Sequence, residues 1–294
     1  PEYRRQRQMC IRDRLKVNSP SSIDFSSNDY LGVAKVNSTG STGSRLISGN
    51  SKAIEDLENK FSSLVGSKTA LFFSSGYQAN VGLIPALCDR ETTIFYDELI
   101  HASLRDGVRL SLAKNISFKH NDLDHLESKL SNSSGKKIII VEAVYSMDGD
   151  SPNIQSITEL AKHHSAELIV DEAHSFGIAG ANGLGLIEDK SLSSDILATI
   201  YPLGKAVGSS GCFVTGSEIL REYLINFCRS FIYSTAPSLS IVKEVSKQLN
   251  QISSSNRSLV KKNKDYFLSN NKAGSILTGE NSAIVSIKFK DVQI

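Results

Sequence analysis

The chain has 294 residues, 40% hydrophobic and 22% charged, enough for one large core or two domains of ordinary globular composition. No apolar run reaches the roughly 18 residues of a membrane span, so no membrane partner is expected. The formal charge is +2, yet Arg4, Arg5, Arg7, Arg12, Arg14 and Lys16 against Glu2 and Asp13 give the first sixteen residues +4, leaving a body of −2 with no basic field for nucleic acid.

The basic opening, residues 1–22, has no apolar segment behind it and is not a secretory signal; it reads as a mobile tail or a non-native extension. Cys10, Cys88, Cys212 and Cys228 lack CxxC or metal-ligand spacing, which implies structural thiols in a reduced, cytoplasmic setting and no metal. Residues 23–25 are a strand candidate and 35–44 a Ser/Thr/Gly-rich loop. Ile54, Leu57, Phe61, Leu64 and Val65 fall at helical spacing, predicting an amphipathic helix over 53–65 stopped by Gly66.

Strands are predicted at 70–73, 94–96, 138–142, 168–170, 196–200 and 212–214, with helices at 77–87, 103–111 and 157–164. That alternation predicts an α/β fold with a mostly parallel central sheet between helices, filling a large domain over 23–235. Beyond Thr235 the chain turns helical and polar, with linker-like stretches at 253–257 and 269–272 and an alternating edge strand at 283–290. Residues 236–294 read as a connecting helix and the start of a smaller α+β domain.

The chemistry centres on Ile169-Val170-Asp171-Glu172-Ala173-His174, answered by Leu203-Gly204-Lys205-Ala206, with Lys205 lying 34 residues after Asp171. A buried strand ending in an acid delivers a carboxylate to the mouth of an α/β sheet. Lys205 sits in a loop of small residues, 204–211. Pyridoxal phosphate needs both: a lysine amine to form a Schiff base with its aldehyde, and an anionic carboxylate to keep its ring nitrogen protonated. Taken singly, the plain readings are a surface lysine and a helix-capping aspartate. Asp-Glu-Ala-His also suggests a nucleotide-hydrolysing motif, but that needs a GxxxxGK[ST] loop; Gly204-Lys205 is followed by Ala206, and Gly135-Lys136 has Leu130 where the first glycine belongs. Asp148 and Asp150 fit a turn better than a metal site, and His120, His125, His163 and His164 read as structural.

Further motifs accompany this pair: Ser27-Asn28-Asp29-Tyr30-Leu31-Gly32, Gly43-Ser44-Arg45, Ser75-Gly76-Tyr77-Gln78-Ala79-Asn80, His101-Ala102-Ser103, Ser146-Met147-Asp148-Gly149-Asp150 and Phe231-Ile232-Tyr233-Ser234-Thr235. In this order they resemble the α-oxoamine synthases, fold-type-I pyridoxal-phosphate enzymes that join an amino acid to an acyl thioester with loss of carbon dioxide. The resemblance implies that Lys205 carries the cofactor and then acts as base, while Asp171 pairs with the ring nitrogen. His174 would bond the ring's phenolic oxygen and assist acyl transfer, with His101 stacked on the ring and Ser146 beside it. Gly76 and Tyr77 would offer backbone donors to the phosphate at a helix N-terminus. Thr235 would reach the phosphate of the other subunit, implying a homodimer with shared sites, and Asn28 would lie on the substrate side.

Within the family, the spacing from Lys205 to Gly211-Cys212 is most like the branch that condenses L-alanine with a pimeloyl thioester in biotin synthesis. A glycine-using branch, and a cofactor-binding fragment without turnover, stay open as alternatives. Two departures stand out. Pro202 occupies the place where the family has a hydroxyl for the phosphate, and its small C-terminal domain, with an arginine for the substrate carboxylate, is expected to be incomplete, so the sequence reads as a fragment.

Overall fold

The computed structural model describes residues 15, 28–30, 40–189, 192–271 and 274–288. The expected strand at 23–25, and all of the basic opening except Leu15, lie outside the described residues; Leu15 itself packs half-buried against the core. In chain order, α1 (Lys52–Leu64), β1 (Thr69–Phe73), α2 (Gly76–Leu87), β2 (Thr92–Asp97), α3 (Ala102–Leu110), β3 (Lys114–Phe118), α4 (Leu123–Ser131), β4 (Lys136–Glu142), α5 (Ile154–His163) and β5 (Ala166–Asp171) come first. They are followed by α6 (Leu186–Asp189), β6 (Ala198–Pro202), β7 (Cys212–Gly216), α7 (Glu218–Phe227), α8 (Arg229–Ile232), α9 (Leu239–Leu249), α10 (Ser254–Asn270), β8 (Ser275–Leu277) and β9 (Ser286–Lys288).

Local chemistry sets most boundaries. The Ser51 hydroxyl accepts from the Ile54 N–H to start α1, and Gly66, at φ +68°, lets the chain leave it. The larger sheet has seven strands in the order β1-β7-β6-β5-β4-β2-β3. β3, β2, β4, β5 and β6 run parallel, whereas β7 is antiparallel to both β1 and β6. The α/β architecture with a mostly parallel sheet is therefore as expected. Because side chains alternate across a strand, Ile138, Ile140 and Ile169 pack with α2, α3 and α7 on one face, while Ile139, Val141, Leu168 and Val170 pack with α4, α5 and α6 on the other.

A third cluster closes one end of the sheet, where the Phe61 ring of α1 stacks on Phe213 at 3.9 Å and meets Phe176 and Tyr201 edge-on. Three expectations need correction. β3 and α4 were not anticipated, since β3 is a mostly exposed edge strand whose alternation is too short to stand out. The serine-rich 253–257 is not a linker: Ser253 caps α10, and 254–257 form its first turn. The 269–270 pair likewise belongs to the end of that helix. β8 and β9 form a two-stranded antiparallel sheet, with 286–288 of the expected 283–290 strand paired.

Candidate active site

The C-terminal ends of β2, β4, β5 and β6 open on one cavity of about 290 Å³, lined by Gly76, Tyr77, His101, Glu142, Asp171, His174, Pro202 and Lys205 among others. Asp171 ends β5 and is buried. Its Oδ1 accepts from the Ala173 N–H at 2.9 Å and its Oδ2 from Asn80 Nδ2 at 3.1 Å. Asn80 Nδ2 also reaches Ser103 Oγ at 2.9 Å, so α2, α3 and β5 meet at this carboxylate. Burial pushes its pKa up despite those donors and the positive charges of His101 and Lys205 further away. Among the described residues no cation forms an ion pair with it. A buried carboxylate in that condition favours a cationic N–H placed against it.

Glu142 ends β4 in register with Asp171 and accepts from the His101 backbone N–H. Burial and then the Asp171 charge push its carboxyl up to about 8. His101 caps α3, its Nδ1 lying 3.2 Å from the Ser103 N and 2.7 Å from Ser103 Oγ. His174, half-buried, is lowered to about 4 by burial and then by Lys205 and His101, so its imidazole is neutral at ordinary pH. Lys205 rides a loop closed by Leu203 N–H to Gly211 O at 3.0 Å and Gly208 N–H to Lys205 O at 3.0 Å.

The helix N-terminus of α2 faces the same cavity. Ser75 uses its hydroxyl on the Gln78 N–H and its carbonyl on the Ala79 N–H, leaving the first-turn donors of Gly76 and Tyr77 for a ligand. Gly76 is required here, because a Cβ would meet the Pro202 ring at 2.9 Å. Donors at the helix start suit a phosphate, the buried carboxylate of Asp171, without an ion-pair partner among the described residues, suits a pyridinium nitrogen, and the amine suits an aldehyde. The residues present thus fit pyridoxal phosphate.

Of the predicted site residues, Lys205, Asp171, His174, His101, Gly76 and Tyr77 come together on this cavity. Ser146, half-buried on the turn after β4, does not line it. Thr235 is exposed beside its bridge to Ser44, and Asn28 is exposed with its N–H on Thr42 O at 3.0 Å. Glu142 was missed, although an acid after the apolar run 138–141 is the same signal that picked out Asp171. Glu172 of the Asp-Glu-Ala-His segment is fully buried, and its carboxylate accepts from Ser175 Oγ and the N–H groups of Leu186 and Ile187. It anchors the 177–185 loop.

A strand-end acid, a loop lysine and a helix N-terminus around one cavity define a class as well as a site. The family model for aminotransferase class I and II matches residues 20–293, and the chain belongs to that family. Its relatives include the 8-amino-7-oxononanoate synthases of Saccharophagus degradans, 41% identical over 241 residues (77% of this chain, 61% of that protein), and Herminiimonas arsenicoxydans, 41% identical over 256 residues (81% and 66%). Among solved structures, a serine palmitoyltransferase from S. paucimobilis with bound PLP–myriocin superposes with a TM-score of 0.81 at 28% identity, covering 86% of this chain and 67% of that one. The 8-amino-7-oxononanoate synthase of Francisella tularensis gives a TM-score of 0.69 at 32% identity, covering 85% and 76%. These matches bear out the resemblance to the α-oxoamine synthases. The chain spans about three fifths of the first two curated relatives it matches.

Proposed function

We propose that this chain is the large part of a pyridoxal-phosphate-dependent acyltransferase of the 8-amino-7-oxononanoate synthase type. It condenses an amino acid, L-alanine in the favoured reading, with a pimeloyl thioester and releases carbon dioxide and an α-aminoketone. The observation that carries this is the convergence of Lys205, Asp171, His101 and His174 on one cavity with the α2 N-terminus.

Pyridoxal phosphate, when bound, supplies an electron sink that stabilises negative charge at the amino acid's α-carbon. Asp171 would hold the ring through its nitrogen, His101 would line the cavity beside it, and the N–H groups of Gly76 and Tyr77 would bind the phosphate. Lys205 Nζ takes the α proton from the amino acid and returns a proton once carbon dioxide has left. His174, neutral at working pH, donates a ring N–H toward the acyl carbonyl oxygen, where negative charge gathers during attack.

The active form in this reading is a homodimer. Support comes from the hollow of about 530 Å³ bordered by Pro85, Leu110, Phe227 and Tyr233, with the last three apolar side chains exposed. Thr235, the residue after Ser234 of that hollow's lining, is exposed, as a residue serving the partner's phosphate must be. The setting is cytoplasmic, consistent with the buried free thiols of Cys88, Cys212 and Cys228, and no helix among the described residues is long and apolar enough to cross a membrane.

The test is the visible spectrum of the purified chain with added pyridoxal phosphate, then with L-alanine or glycine. A visible band lost in Lys205→Ala, and changed by alanine, supports the reading. A response to glycine alone transfers the chain to a glycine-using branch. No band at all sinks cofactor binding for this polypeptide.

A further inference from the structure

Outside the cavity, at the C-terminal ends of β2, β3 and β4, the His120 ring lies between two carboxylates. Its Nδ1 is 2.9 Å from Asp97 Oδ1 and its Nε2 is 2.8 Å from Asp150 Oδ2. A neutral imidazole has a single N–H to donate. In that form one nitrogen would turn a lone pair on an anionic oxygen at hydrogen-bond distance, which is repulsive. Asn121 Nδ2 has two N–H groups, one donated to Asp150 Oδ2 at 2.6 Å and one free to face Nε2 at 3.3 Å, but that second bond would leave the Nε2 lone pair against the same Asp150 oxygen at 2.8 Å. Only an imidazolium satisfies both contacts.

The surroundings agree. Asp97 is buried, Asp150 partly exposed, and the Tyr145 ring meets the imidazole edge-on at 4.5 Å. The Glu98 carboxylate accepts from the backbone N–H of His120 at 3.1 Å, which adds a further negative charge nearby. Burial of the ring favours the neutral form, but the hydrogen bonds and charges of Asp97 and Asp150 outweigh it and raise the His120 pKa.

What the ring joins gives it a purpose. Asp97 also accepts from the N–H groups of Leu99 and Asn121, at 2.8 and 2.9 Å, and so fixes the loop that brings His101 to the cavity. Asp150 closes the 145–150 turn, where Tyr145 N–H reaches Asp150 O at 2.9 Å. That turn carries Ser146 and seats the C-terminal segment: Gly279 N–H donates to Gly149 O at 2.9 Å, and Ser286 Oγ donates to Met147 O. A Cβ on Gly149 would lie 3.0 Å from Ile284, so the contact is a close one.

We infer that His120 is a positioning residue: as an imidazolium between Asp97 and Asp150 it ties the loop delivering His101 to the turn that carries Ser146 and seats residues 279–286. The clamp follows from the distances around His120; its bearing on catalysis rests on the cofactor reading of the cavity. Its bonds hold below the raised pKa and one is lost as pH rises through it, the Asp150 side releasing first because Asp97 is buried.

The clamp is tested on the whole chain by following the His120 ring protons by NMR across pH, assigned by their loss in His120→Gln. The ring is expected to titrate above an ordinary imidazole, and its pKa should fall in Asp150→Asn, which removes one of the two negative charges. Amide exchange over 145–150 and 279–286 should quicken several-fold above that pKa in wild type and at neutral pH in His120→Gln, while β4 and β5 are unchanged. His120→Arg, charged at every pH, should restore protection and remove its pH dependence. A ring titrating at or below the ordinary imidazole value overturns the proposal, as does unaltered exchange over 279–286 in a folded His120→Gln. If that variant does not fold, the wild-type and Asp150→Asn titrations still decide. A raised pKa in a chain that shows no visible band with pyridoxal phosphate would support the clamp and sink the cofactor reading instead.

Discussion

At Gly177 the backbone sits at φ +87° and a Cβ would fall 2.4 Å from the Cβ of Ala206, the residue after Lys205. The 177–185 loop can lie against the lysine loop only because this side chain is absent. Gly177→Ala is therefore expected to cost about 1–3 kcal/mol from overpacking, read as a lower urea midpoint, and to weaken the visible band of the loaded chain by displacing Lys205. Glu142 offers a pH test. Its folded carboxyl keeps a proton up to about 8 against 4.5 ordinarily, so the folded state binds the extra proton and stability falls as pH climbs through that window. Glu142→Gln should flatten the decline and exceed wild type by a few kcal/mol at roughly pH 9, at about 1.4 kcal/mol per pKa unit. Pro202 lines the phosphate end with neither hydroxyl nor N–H. Pro202→Thr, by restoring one charge-assisted bond of about 1.5–3 kcal/mol, should tighten pyridoxal phosphate roughly ten- to hundredfold in a fluorescence titration. Lys205 and Asp171 were legible in the sequence because each ends or follows an apolar run. Asn80, which holds Asp171 from a helix 91 residues away, was not. Its role exists only once the sheet is assembled.

Among the elements, α10 is unusual in burying none of its residues. It is held instead by polar attachments: Arg257 donates to the carbonyls of Gly180 and Ala181 at 2.9 Å each, and Lys264 to those of Gly279 and Ser282 at 2.5 and 2.7 Å. Arg257→Ala should therefore speed amide exchange in α10 and in 177–185 together, leaving the central strands protected. An aromatic core behaves differently. Phe61→Ala removes a ring packed against Phe213, Phe176 and Tyr201, and about 3–5 kcal/mol of stability should go with it in a denaturant titration. Buried strands such as β4 and β5 announce themselves by unbroken apolar runs. α10 carries no such stripe, and its start is signalled only by a serine cap inside a polar stretch, which sequence reading takes for a linker.

For the whole molecule, the α/β layering was legible from the order of strands and helices, but the reversal of β7 was not, since an apolar strand of five residues reads the same in either direction. The exposed face with Leu110, Phe227 and Tyr233 carries the dimer prediction: sedimentation should give a dimer at micromolar concentration, and Tyr233→Glu with Phe227→Glu should shift it to monomer and weaken cofactor binding with it.

The pairing of β1 with β7 also bears on how the chain is made. Thr69 and its partner Gly216 are 147 residues apart, so β1 of the larger sheet waits for β7 before it has a strand to pair with. At ordinary translation rates of about 5–20 residues per second that wait is roughly 7–30 s. Throughout it the nascent chain carries Leu71, Phe72 and Phe73, later fully buried, on an open strand. This interval is when the growing polypeptide is most exposed to aggregation on the ribosome and most in need of a chaperone.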